Sequence, residues 1–192
     1  MRLGHIRIAI QDNSYKRVLR TIGLGIAEAE NAISKASEYD VPEHTDSVVD
    51  SECDLVENLL GAAFVVCQTQ INTVANRALP FLGETKDSKP YEIYNSHTNS
   101  ICALANYFKH RDEWSIEDWN APSGRNIHTI KAIVNIGLRY GSTGNLRTGS
   151  EWLGNSDYTQ TNIFSHLIDR WSDEVLSNCV SVLKSKENHE QA

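Results

Sequence analysis

Apolar residues recur along most of this chain at the three- and four-residue intervals of an α-helix, not at the two-residue interval of a strand. From about Asn13, the residues Tyr15, Val18, Leu19, Ile22, Ile26, Ala29, Ile33 and Ala36 fall on one helical face. Gly23 and Gly25 interrupt it, each lowering helix propensity by roughly 1 kcal/mol relative to Ala. Close approach of another helix accounts for them, with a kink as the alternative. Pro42 and its polar neighbours predict a connection, and Thr45 or Asp46 can cap the next helix. A longer pattern from Asp46 to about Leu79, carried by Val56, Leu59, Leu60, Ala63, Phe64, Cys67, Ile71 and Val74, predicts a central helix. Small residues at Gly61, Ala62 and Ala63 let another helix approach it. Pro80 and Gly83 end it, and a polar loop runs to Pro90. The first ten residues, MRLGHIRIAI, fit a short strand, a helix or an irregular arm equally.

The next pattern, Ser96 to Trp114, reads SHTNSICALANYFKHRDEW. Ile101, Leu104, Ala105 and Phe108 form a buried stripe at helical spacing, and Asn106, Lys109, His110 and Glu113 share the adjoining face. Ser115 and Asp118 are spaced as a capping box for a short turn. NAPSGRN, residues 120–126, is a loop; helix resumes over about Ile127 to Tyr140, and RYGSTGNLRTGSEWLGNS reads as irregular chain. A last helix opens at Asp157 or Thr161 and holds Phe164, Leu167, Ile168, Trp171, Val175, Leu176 and Cys179 on one face before a tail expected to fray. The expectation is one all-α domain over residues 1–192, a bundle of about five principal helices with its helical core at about 13–186.

The net charge of −7 and pI of about 5.5 exclude a broad cationic surface that coats nucleic acid nonspecifically. Charge can still be focused, because Lys109, His110 and Arg111 are consecutive and Lys16, Arg17 and Arg20 lie together. The four cysteines are widely spaced without a CxxC pair, as expected of reduced, buried small hydrophobes. The longest apolar run, near Ala62 to Cys67, is too short to cross a bilayer. With no leader-like pattern at the N-terminus, a cytoplasmic protein with no membrane partner is expected.

Four residues separate Asn106 from His110, so both project from one side of a helix. In the chemical reading His110 transfers a proton or binds a phosphate oxygen, Asn106 orients the substrate or the imidazole, and Lys109 and Arg111 neutralise phosphate. Trp114, with Trp119, is placed to stack on a base. The competing reading is structural: a hydrogen bond at a bundle edge, a solvated charged face paired with Asp112 and Glu113, and aromatic rings that cover the core. No metal site is expected, since His97, His110 and His128 lack compact ligand spacing. The glycines at 141, 144 and 149 do not form a phosphate-binding loop, and no other cofactor motif occurs.

The long segment NLLGAAFVVCQTQINTVANRAL followed by a shorter helix containing ANYFKHR resembles the HEPN superfamily of small α-helical domains. That family's site is an Arg, commonly followed by a polar residue, and then a His a few positions on. Asn106 and His110 match the polar and His positions, while Ala105 stands where the Arg would be. The resemblance implies metal-independent endoribonuclease action of the kind found in toxin or defence systems, often in a cleft between two protomers of a homodimer. It also implies the alternative found among noncatalytic relatives, a module that binds nucleotides or a protein partner.

Overall fold

The computed structural model describes residues 4, 7, 12–38, 42–82 and 90–190. Apart from Gly4 and Arg7, the N-terminal arm lies outside these residues, as does the loop from Gly83 to Pro90 up to its last residue. The chain is an all-α bundle. Its helices among the described residues are α1 (Ser14–Glu38), α2 (Pro42–Ala78), α3 (Ser96–His110), α4 (Ile116–Asn120), α5 (Ile127–Asn135), α6 (Asn145–Trp152) and α7 (Asn162–Glu190). These exceed the five principal helices expected because α4 and α6 are short.

The central helix begins earlier than the sequence pattern suggests. Pro42 occupies its first position, where the fixed φ of proline suits a helix and its missing N–H costs nothing. The predicted caps Thr45 and Asp46 therefore lie inside the first turns. At the other end Ala78 closes α2 and a 3₁₀ turn, Leu79–Phe81, carries Pro80.

α2 is the hub, packing antiparallel to α1 and touching α3, α6 and α7. Its face from Val56 through Leu60, Phe64, Cys67 and Ile71 to Val74 is fully buried. Phe64 meets Phe164 of α7 with ring centroids 5.0 Å apart. α7 also contacts α3, as its apolar face predicts. Close approach explains Gly23: a Cβ there would stand 2.6 Å from the carbonyl oxygen of Thr159. Thr161 stands immediately before the first residue of α7, as expected of the residue that opens it, and its hydroxyl donates to the Leu19 carbonyl at 2.7 Å, tying α7 to α1. α7 continues to Glu190, so the stretch expected to fray is helical as far as the described residues reach.

Two helix ends differ from the sequence expectation for a local reason. α5 stops at Asn135, not Tyr140, because Gly137 takes a φ of +96°. The N–H of Leu138 then bonds to the Ile133 carbonyl at 3.1 Å and that of Gly137 to Val134 at 3.0 Å, a Schellman ending. α6 lies within the stretch read as irregular. Its first turn is capped from across the molecule by Glu57, whose carboxylate accepts the backbone N–H groups of Leu146 and Arg147, each at 3.0 Å.

Candidate functional site

α3 starts with a capping box in which the Asn95 side chain accepts the N–H of Thr98 while the Thr98 hydroxyl accepts that of Asn95, both at 2.9 Å. This box sets where the helix begins, and the helix's packing against α2 decides where each predicted site residue goes. Ile101, Leu104 and Ala105 are buried as expected, while Phe108 is only half-buried. Its ring lies against Gly61, where a Cβ would stand 2.1 Å from Phe108 Cδ2.

The structure brings Asn106 and Lys109 together and separates them from the other candidates. Gln68 of α2 joins the two: its Nε2 donates to Asn106 Oδ1 at 2.9 Å and to the Cys102 carbonyl at 3.2 Å, and its Oε1 accepts from Lys109 Nζ at 2.8 Å. Asn106 also lines a cavity of about 410 Å³ between α2, α3, the start of α5 and the 3₁₀ turn Pro90–Ile93. Gln68, Asn72, Tyr91, Tyr94, Asn99 and His128 are among its other walls.

None of the side chains lining that cavity carries a formal charge, apart from the titratable His128. The Tyr94 hydroxyl donates to Asn72 Oδ1, and burial pushes the Tyr94 hydroxyl's pKa upward, keeping it a donor. The hydrogen bonds of Asn72 and Asn106 engage their carbonyl oxygens, which leaves both amide NH₂ groups as donors. Tyr91 and His128 stack with centroids 6.3 Å apart and planes at 23°.

His110 sits past this cavity at the end of α3, with 46% of its side chain exposed. Its Nδ1 is 3.1 Å from Glu113 Oε1. Arg111 and Trp114 line a different cavity, of about 490 Å³, which also holds Asp54, Glu57 and Asp112. The Arg111 guanidinium lies over the Phe108 ring, 5.6 Å from its centroid, and reaches Asn58 Oδ1 at 3.4 Å. Trp114 is only 5% exposed and packs on Tyr107. Its ring belongs to the core cluster and also lines this cavity.

Ala105, at the position where the HEPN-like pattern would carry an Arg, is fully buried. Among the described residues, no group of three or more His, Cys, Asp and Glu is placed to hold a metal ion. No helix among them is long and apolar enough to cross a membrane. The four cysteines are free, and Cys67, Cys102 and Cys179 are buried.

Sequence reasoning missed Gln68, Asn72, Asn99 and Tyr94. A signal was present in the one-turn spacing of Gln68 and Asn72 beside the apolar face of α2, and in the two-turn spacing of Asn99 and Asn106 on α3. No known protein family, curated protein or solved structure matches this chain.

Proposed function

We propose that this protein is an RNA- or nucleotide-directed helical domain of HEPN-like type that binds a base in the amide-lined cavity beside Asn106. One observation carries the reading: a pocket lined by no carboxylate, Lys or Arg, in which Gln68, Asn72, Asn99 and Asn106 converge with Tyr91, Tyr94 and His128. Carboxamides supply the donors and acceptors that read a base edge, and aromatic rings supply a stacking surface. The volume falls within the usual range of small-ligand sites, about 300–1,000 Å³. Lys109, held on Gln68 at 2.8 Å, is the adjacent cation for a phosphate.

Binding of nucleosides, nucleotides and short single-stranded RNA by calorimetry or fluorescence polarisation tests this. Asn106→Ala and Asn72→Ala are expected to weaken binding at least ten-fold. Nucleoside affinity should change little with salt, whereas RNA affinity should fall as salt rises. Unaltered binding in both variants, or no binding of any nucleoside or RNA, overturns the proposal.

Metal-independent RNA cleavage is the second reading, favoured by the Glu113 carboxylate 3.1 Å from His110 Nδ1, a contact that orients an imidazole as a general base. His110 would take the proton of a ribose 2′-hydroxyl. The 2′-oxygen would then attack the adjacent phosphorus and displace the 5′-oxygen, which takes a proton from water, leaving a cyclic phosphate. Cleavage that persists in chelator and vanishes in His110→Ala supports this reading. RNA left intact by protein that still binds it leaves the binding function alone.

A further inference from the structure

The second cavity, bounded by α2, the end of α3, α4 and the chain from Tyr140 to Gly144, has the opposite chemistry from the amide pocket. One wall is a ladder of four rings. Tyr107 meets Trp114 at 6.2 Å and Trp119 at 6.1 Å between centroids, and Trp119 meets Tyr140 at 6.2 Å. The last two contacts are edge-on, at 89° and 69°. Asp54, Glu57 and Asp112 add three carboxylates to the lining, against one cation, Arg111.

That cation is already engaged, over Phe108, with Asn58, and 4.0 Å from Asp112. Glu57 is occupied by the two N–H groups at the start of α6. Asp54 has neither a hydrogen bond nor an ion pair to any described residue, and it is exposed on α2 at the cavity's edge. The carboxylates disfavour an anion. A hard metal ion needs several converging oxygen ligands, and no group of three or more acidic, His or Cys residues among those described is placed to supply them.

We infer that this cavity binds a small organic cation, specifically a quaternary or methylated ammonium head group. Such an ion is weakly hydrated, so it gives up little on leaving water. It gains attraction from the electron-rich faces of Trp and Tyr rings, supplemented here by the Asp54 carboxylate. The site shares no residue with the amide pocket, so it stands independently of the nucleotide proposal.

Choline and its neutral isostere 3,3-dimethyl-1-butanol, equal in shape but lacking the charge, provide the test, followed by calorimetry and by the change in intrinsic tryptophan emission, to which Trp114 and Trp119 contribute. Choline is expected to bind at least roughly ten-fold more tightly than the isostere. Asp54→Asn and Tyr140→Ala change exposed residues, and both are expected to keep the native circular dichroism while weakening choline several-fold. Equal binding of the two probes, binding of neither, or wild-type choline affinity in both variants overturns the inference.

Discussion

The carboxylate of Glu57 and the backbone N–H of Leu146 meet at 3.0 Å although 89 positions separate them in sequence. Glu57 is almost wholly buried, and its second oxygen takes the N–H of Arg147, so one side chain satisfies two donors that α6 leaves unpaired at its start. A buried donor without a partner costs about 1–3 kcal/mol. Glu57→Ala should therefore lower stability by at least about that amount, and Glu57→Gln, which keeps one acceptor, by less. Urea unfolding gives the ranking, and equal midpoints for both variants would remove the capping role assigned to Glu57.

The stripe on α3 makes unequal contributions. Leu104 is fully buried, and it lies so close to α6 that a Cβ on Gly149 would stand 2.3 Å from Leu104 Cδ2. Leu104→Ala should cost about 2–5 kcal/mol. Phe108, half-buried against Gly61, should cost less than the roughly 3–5 kcal/mol of a fully buried ring, about 1.5–2.5 kcal/mol. Denaturant midpoints in which Phe108→Ala is the worse of the two would contradict this placement of α3.

Stability should fall at alkaline pH. Burial pushes the Cys102 thiol from 9.0 up to about 12, and it raises the Cys67 thiol as well. In the unfolded chain these thiols ionise near 9.0, so above that pH the unfolded state releases protons that the folded state retains. The stabilisation is present below pH 9.0 and is lost as pH climbs toward 12. The urea midpoint should decline through this window, and Cys102→Ala should make the decline shallower. A decline unchanged in Cys102→Ala would show that other groups govern it.

What the sequence determined by itself is the helical frame. The faces of α1, α2, α3 and α7 were legible because burial on one side of a helix imposes a period that any single segment displays. The Ser115–Asp118 box of α4 was legible too, since both partners lie within one turn. Tertiary structure decided everything that depends on a distant partner. α6 looks irregular in sequence because its cap comes from Glu57 of another helix, and α5 ends early because Gly137 adopts a left-handed φ that the chain's apolar pattern does not encode. The candidate site divided for the same reason. Asn106, His110, Arg111 and Trp114 are neighbours in sequence, but successive helical residues turn by about 100°. Packing against α2 then sends Asn106 to the amide cavity and Arg111 and Trp114 to the aromatic one, and leaves His110 beside Glu113 at the helix end.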